Sequence, residues 1–325
     1  MNVLITGGAG FIGSHLAERF LAEKWRVTVI DDLSTGSLSN IAGLRANPQF
    51  SCHVGSVCDS GLITPAVREA DLVVHLAAVV GVRLAVNEPI RTIRTNVLGT
   101  ENVLAASVAR RTRVIVASTS EVYGKHHRIP FVEDMDILIG NTTTDRWSYA
   151  CSKALDEFLG LAYWKQWGIP VTVVRFFNAV GPRQTGRYGM VLPTLVSQAL
   201  DEEPMTVFGT GEQKRCFAYV SDVVEALARI VRADDVIGEV INIGNDREIS
   251  INQLAYLIKM ITGSRSEIVH FPYDVAYGPG FEDMSCRVPS LEKLERLIGY
   301  RPSTPIEAIV KLVVHDSRAF RAAAA

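Results

Sequence analysis

Short apolar runs recur through the first half of the chain, and each is only four or five residues long. Strands of a parallel sheet are covered on both faces, so they are apolar throughout instead of alternating with polar residues. The pattern therefore predicts buried parallel strands over residues 3–6, 27–30, 72–76, 114–118 and 171–175.

The segments between these runs have the spacing of amphipathic helices. After Gly13, Leu16 is followed four residues later by Phe20, and Ala17 by Leu21, which places both pairs on one helical face. A parallel pair of strands needs such a crossover helix. The repeated order of strand, helix and strand predicts a doubly wound α/β sheet of the Rossmann type.

The pattern changes near residue 178, where elements become shorter and are separated by clusters of Gly and Pro. We predict a Rossmann domain over residues 1–177 and a smaller C-terminal α/β domain over 178–325. The apolar INIGN segment near residue 243 indicates that residues near 215–245 return to the first domain.

Composition limits the classes of function. With 325 residues, 21% charged residues and a net charge of -2, we expect an ordinary globular protein, and the composition does not indicate a nucleic-acid partner. The five cysteines form no C-x-x-C spacing, so we expect reduced thiols, no metal site and a cytoplasmic location. No run reaches the roughly 18 apolar residues of a membrane span.

The segment TGGAGFIG, residues 6–13, connects the first predicted strand to the first helix. Gly7 permits the tight turn, Gly10 lets the backbone approach a pyrophosphate, and Gly13 allows close helix packing. The second strand ends in Asp31 and Asp32, about 20 residues further on as the dinucleotide fingerprint requires. An acid there binds a ribose 2′-hydroxyl and repels a 2′-phosphate, so we predict NAD, with Asp31 as the ribose ligand and Asp32 as a cap of the following loop.

A second cluster of reactive residues lies in SYACSK and in the strand before it. Tyr149 and Lys153 are four residues apart, so they share one face of a helix. The ammonium, reinforced by the positive nicotinamide ring of NAD, is expected to lower the pKa of the phenol and let it exchange a proton with a sugar hydroxyl. The preceding strand ends in Ser118, Thr119, Ser120 and Glu121, and open α/β sheets bind ligands at such ends.

The chain resembles the extended short-chain dehydrogenase/reductase family, whose members modify nucleotide-sugars, through TGGAGFIG, DD, HLAA, STSEVYG, SYACSK and RFFNAVGPR. The resemblance implies that Thr119, Tyr149 and Lys153 form an oxidation site. It implies nucleotide-sugar contacts at Asn178, Val191 and Arg215. It also implies cofactor contacts at Phe11, Ile12, Leu76, Ala77, Ala78 and Asn96.

The predicted helix that carries Tyr149 has a long apolar face, more than one crossover helix needs against its own sheet. Its members are Leu155, Phe158, Leu159, Ala162 and Tyr163. Members of the resembled family dimerise through a four-helix bundle, so we expect a homodimer.

Three reactions branch from a 4-keto sugar in this family: 4-epimerisation, dehydration and decarboxylation. A simple 4-epimerase needs only a hydroxyl, a tyrosine and a lysine, so Glu121 favours chemistry beyond carbon 4. Ser120 stands where one class of dehydratases has an aspartate, although GDP-mannose dehydratases share the serine.

The segment YGPGFEDMSCRVPS, residues 277–290, resembles the UDP-glucuronate decarboxylases. By that likeness Arg287 and Ser120 hold or protonate the sugar carboxylate region, and Glu121 assists. A surface ion pair of Arg287 with Glu282 or Asp283 is the alternative. We therefore predict decarboxylation of UDP-glucuronate to UDP-xylose or its 4-keto pentose; the alternatives are a UDP-sugar 4-epimerase, a 4,6-dehydratase and a non-catalytic NAD sensor.

Overall fold

A seven-stranded parallel sheet forms the centre of the computed structural model, which describes residues 1–186, 189–273, 284 and 286–324. The strands are β1 (Asn2–Thr6), β2 (Arg26–Asp31), β3 (Phe50–Val54), β4 (Leu72–His75), β5 (Arg113–Thr119), β6 (Val171–Phe176), β7 (Ala179–Val180), β8 (Met205–Phe208), β9 (Lys214–Cys216), β10 (Ala218–Tyr219), β11 (Val240–Ile243), β12 (Glu248–Ser250) and β13 (Ile268–Phe271). The main sheet has the order β3-β2-β1-β4-β5-β6-β11, and every neighbouring pair in it is parallel. The doubly wound Rossmann prediction is confirmed.

All five predicted strands are present, and each end lies within one residue of its predicted position. The apolar pattern did not reveal β3, because it is an edge strand whose residues are mostly exposed or half-buried. The INIGN segment forms β11, which pairs in parallel with β6 and closes the other edge of the sheet.

Helices cover both faces of the sheet. They are α1 (Phe11–Ala22), α2 (Ser60–Glu69), α3 (Val82–Asn87), α4 (Pro89–Ser107), α5 (Trp147–Trp167), α6 (Val191–Leu200), α7 (Val220–Ile230), α8 (Ile251–Thr262), α9 (Glu292–Ile298) and α10 (Ile306–Ala324). In α1 the residues Leu16, Ala17, Phe20 and Leu21 are all buried against the sheet, as their spacing predicts. Helices α1 and α7 share one apolar core, whereas α2 and α4 contribute to the core on the opposite face.

A separate apolar core joins α6, α8 and α10 with β8 in the C-terminal part of the chain. Strand β8 pairs in parallel with β13, and β9 pairs antiparallel with β12. This second layer supplies one wall of a cleft at the ends of the main sheet. Among the described residues no helix is both long enough and apolar enough to cross a membrane.

Candidate active site

A cleft of about 1660 Å³ opens at the carboxyl ends of the central strands. It lies where the strand order reverses between β1 and β4, which is the position where open α/β sheets bind ligands. Nearly all of the residues that the sequence proposed for the site line it: Gly7, Gly10, Phe11, Ile12, Gly13, Asp31, Asp32, Leu76, Ala77, Ala78, Thr119, Ser120, Glu121, Tyr149, Lys153, Asn178, Val191, Arg215 and Arg287.

The glycine turn between β1 and α1 has the shape that a pyrophosphate site needs. Gly7 has a φ of +71°, and a Cβ there would lie 2.8 Å from the backbone nitrogen of Ala77. A Cβ on Gly13 would lie 2.3 Å from the carbonyl oxygen of Gly7. No side chain caps α1 at Gly10, so the first amides of the helix face the cleft. These groups fit the diphosphate of a dinucleotide.

Asp31 ends β2 at the wall of the cleft. Its Oδ2 accepts a hydrogen bond from the Ala9 amide at 2.9 Å, and its Oδ1 accepts one from the Leu33 amide at 2.8 Å. Burial raises the pKa of this carboxyl. Asp32 instead accepts a hydrogen bond from the Ser34 amide at 3.0 Å, within the loop that follows. The carboxylate of Asp31 is thus held rigidly with lone pairs left for a ribose hydroxyl.

Asn96 differs from the other proposed cofactor contacts, because it lies behind the cleft and is fully buried. Its Oδ1 accepts a hydrogen bond from the Val79 amide at 2.9 Å, and its Nδ2 donates to Ser152 Oγ at 3.0 Å. The side chain therefore joins one cleft-lining loop to α5.

Tyr149 faces the cleft from α5 with a buried ring, and its hydroxyl is hydrogen-bonded to Thr119. Burial, and next the carboxylate of Glu121, raise the pKa of Tyr149; the Thr119 hydrogen bond and Arg287 act in the opposite direction. The net direction is opposite to the one predicted from Lys153. The main reason is burial; in addition, the ammonium of Lys153 lies 2.6 Å from Asp156, which compensates its charge.

Glu121 is held between two guanidinium groups. Its Oε2 accepts a hydrogen bond from Arg146 Nη1 at 2.8 Å, and its Oε1 lies 3.4 Å from Arg287 Nη1. All three side chains are about nine-tenths buried or more, and Arg146 also stacks on Trp147 with 5.0 Å to the ring centroid. Removal of the charges from water strengthens their mutual attraction and fixes the carboxylate. Glu282 and Asp283, the alternative partners for Arg287, lie outside the described residues.

The residues proposed for the nucleotide-sugar also line the cleft. Asn178 donates from Nδ2 to the carbonyl oxygen of Cys216 at 2.9 Å. Arg215 donates to the carbonyl oxygens of Lys214 and Met284, each at 2.8 Å. Val191 begins α6 and is half-buried. These groups and the glycine turn line the same cleft.

Sequence reasoning missed several groups around the site. Arg146 precedes Tyr149 by three residues and Asp156 follows Lys153 by three, so helical spacing was the signal that could have found both. Helix α10 was also missed as a wall of the cleft, where it contributes Asp316, Ser317, Ala319, Phe320 and Arg321. That contact joins residues distant in sequence, so no local pattern reports it.

Known proteins share the sequence pattern and the fold of this chain. The family model for the NAD dependent epimerase/dehydratase family matches residues 3–244. A UDP-N-acetyl-alpha-D-glucosaminuronate decarboxylase from Bacillus cytotoxicus is 43% identical over 310 residues, which is 95% of each chain. UDP-glucuronic acid decarboxylase 1 from Xenopus tropicalis is 35% identical over 98% of this chain and 72% of its own length. The crystal structure of a UDP-glucuronic acid 4-epimerase from Bacillus cereus, in complex with UDP-glucuronic acid and NAD, superposes with a TM-score of 0.88 at 28% identity, covering 98% of this chain and all of that one.

Proposed function

Because this chain belongs to the NAD dependent epimerase/dehydratase family, we propose that it removes carbon dioxide from a UDP-linked uronic acid through a 4-keto intermediate. The enzyme uses NAD and a nucleotide-sugar: its family is NAD dependent, and the Bacillus cereus structure contains UDP-glucuronic acid and NAD. The amides at the start of α1 and the carboxylate of Asp31 would hold the cofactor. When bound, NAD accepts a hydride from carbon 4 of the sugar and can return it to the product.

One observation favours decarboxylation over epimerisation. Glu121 is fixed by Arg146 and Arg287 beside Tyr149, so a carboxylate and a guanidinium flank the position where the sugar is oxidised. Epimerisation at carbon 4 needs neither group. An arginine fork in a buried site matches the planar carboxylate of a uronic acid.

The first step is oxidation, and Tyr149 is the proposed base. In its phenolate form, which the positive charges of Lys153 and of bound NAD would favour, its oxygen takes the proton of the 4-hydroxyl while the hydride leaves carbon 4. The hydrogen bond to Thr119 orients the phenol and opposes the effect of burial on its pKa. Lys153 lies one helical turn further along the same face of α5.

The second step breaks the bond between carbons 5 and 6. The 4-ketone makes the substrate a β-keto acid, so carbon dioxide leaves and the electron pair moves into the adjacent carbonyl to form an enolate. We propose that Arg287 positions the carboxylate before it leaves, and that Ser120 and Glu121 act at carbon 5 during its protonation. Arg146 contributes by keeping Glu121 in place.

The test is product analysis after incubation with UDP-glucuronate, UDP-N-acetylglucosaminuronate and UDP-glucose. We expect release of carbon dioxide from at least one of the two uronates and no reaction of that kind with UDP-glucose. Mass spectrometry separates loss of carbon dioxide from loss of water and from unchanged mass, and NMR distinguishes a UDP-pentose from its 4-keto form. A UDP-uronate that is epimerised with its carboxylate intact would overturn the proposal and favour the 4-epimerase.

Both uronates belong in that test because the two decarboxylase relatives act on sugars that differ at carbon 2. The relative with 43% identity is named for the N-acetylated sugar, and the one with 35% identity for glucuronic acid. The ratio of the kcat/KM values for the two substrates assigns the sugar.

We also propose that the protein is a homodimer formed through α4 and α5. These adjacent helices expose large apolar side chains that the protomer does not cover: Ile90, Ile93, Leu155 and Phe158. Phe158 is 67% exposed and Ile90 is 81% exposed. Pairing of two copies across this surface would form a four-helix bundle and remove the apolar area from water.

Phe158→Asp is expected to dissociate the dimer, because it places a charge in the centre of the apolar surface. Sedimentation velocity at micromolar concentration measures the result. Tyr256→Asp is the matched control, since Tyr256 is 62% exposed on α8, away from the proposed interface. A wild-type protein that sediments only as a monomer would refute the proposal.

A further inference from the structure

Lys153 has a buried counter-ion that the proposed chemistry does not use. Its ammonium donates a hydrogen bond to Asp156 Oδ2 at 2.6 Å, and the two side chains are 2% and 0% exposed. An ammonium removed from water is costly unless it is paired. Asp156 lies on the same helix, three residues beyond Lys153 and seven beyond Tyr149, so all three side chains share one face of α5.

A buried chain of hydrogen bonds lies close to Asp156. Burial raises the pKa of Asp156, whereas Lys153 and, less strongly, the nearby Thr100 hydroxyl on α4 lower it. Asp156 Oδ1 accepts no hydrogen bond from the described residues. His75 Nε2 lies 3.2 Å from the Thr100 hydroxyl, and His75 Nδ1 lies 2.7 Å from the Thr6 hydroxyl. The Ala77 amide donates to Thr6 Oγ1 at 3.3 Å. Every side chain of this chain is buried.

Burial, and next the charge of Lys153, lower the pKa of His75 to about 3, so the imidazole is neutral and carries one N–H. His75 therefore donates one of its two hydrogen bonds, to Thr6 or to Thr100, and accepts the other. A neutral His75 adds no second positive charge beside Lys153.

We propose that Asp156 is a positioning residue that anchors the ammonium of Lys153 on the Tyr149 face of α5. Lys153 lines the cleft, so the ion pair with Asp156 holds its ammonium beside the site of oxidation. This role concerns the oxidation step, so it does not depend on which sugar reaction follows.

The first test is a stability cycle on the protein without added cofactor. Lys153→Met and Asp156→Asn each leave one buried partner unsatisfied, so each is expected to lower Tm by roughly 5 °C. The double variant replaces both partners and is expected to have a higher Tm than either single variant. Glu157→Gln is the matched control: Glu157 is also buried on α5 but pairs with Arg175 at 2.7 Å, so its effect should add to that of Lys153→Met.

The second test is the same cycle on the rate of sugar oxidation in a single turnover, followed by the absorbance of the reduced nicotinamide. Asp156→Asn is expected to lower this rate by about tenfold or more, and to lower it no further in the Lys153→Met background. Asp156→Glu, which keeps the charge, should restore part of the rate. Additive effects in both cycles, or an Asp156→Asn protein with the wild-type oxidation rate, would overturn the proposal. Failure to release carbon dioxide would overturn only the proposed reaction, because this readout stops at oxidation.

Discussion

Replacing Arg287 with alanine is expected to lower kcat/KM for the UDP-linked uronic acid by a factor of about 30 to 5000, corresponding to about 2 to 5 kcal/mol. The side chain is 10% exposed in the cleft and lies 3.4 Å from Glu121. Its loss would leave the substrate carboxylate in a buried site without its proposed partner and beside a carboxylate of the same sign. The measurement is the initial rate of carbon dioxide release at several substrate concentrations.

One further variant separates the planar shape of the Arg287 guanidinium from its charge, and a second variant is a control at another arginine. Arg287→Lys keeps the charge but loses the planar fork, so we expect a partial loss of activity. Arg301→Ala removes an arginine from partly exposed ion pairs with Asp246 and Glu295, and it should stay within about twofold of the wild type. An Arg287→Ala enzyme that retains a third or more of the wild-type kcat/KM would show that this side chain does not bind the carboxylate.

Tyr149→Phe is expected to lower the rate of sugar oxidation by about 100-fold to 10,000-fold, because it removes the group that accepts the 4-hydroxyl proton. The ring is buried and the change removes one oxygen, so the fold and NAD binding should persist. Reduced nicotinamide formed in a single turnover reports the oxidation step directly, before carbon dioxide leaves.

Tyr123 provides a matched control for that experiment. Its ring is also buried, and its hydroxyl donates to Asn242 Oδ1 at 2.8 Å, outside the lining of the cleft. Tyr123→Phe should reduce stability while the oxidation rate stays near that of the wild type. If Tyr149→Phe and Tyr123→Phe lowered the oxidation rate equally, the loss would come from removing any buried phenol hydroxyl. Tyr149 would then not be the specific proton acceptor.

Arg287 is a site residue that the sequence alone identifies, whereas Arg146 is one that it does not. Arg287 was found because its segment resembles a known class of decarboxylases. Arg146 lies two residues before the SYACSK segment, but its role depends on the position of Glu121. Those two residues are 25 positions apart in the chain, and only the packing of α5 against the end of β5 brings them to 2.8 Å.

The alternation of buried strands and amphipathic helices determined the doubly wound sheet, and the glycine spacing together with Asp31 determined the cofactor end of the cleft. These features are local: strand burial, turn conformation and helical periodicity are encoded within a few neighbouring residues. The tertiary structure decided three features: the edge strand β3, the cleft wall formed by α10, and the raised pKa of Tyr149. The pKa of Tyr149 depends on burial and on the carboxylate of Glu121, while Asp156 compensates Lys153. Such electrostatic effects depend on distances across the fold and on exclusion of water, which exist only after the chain has packed.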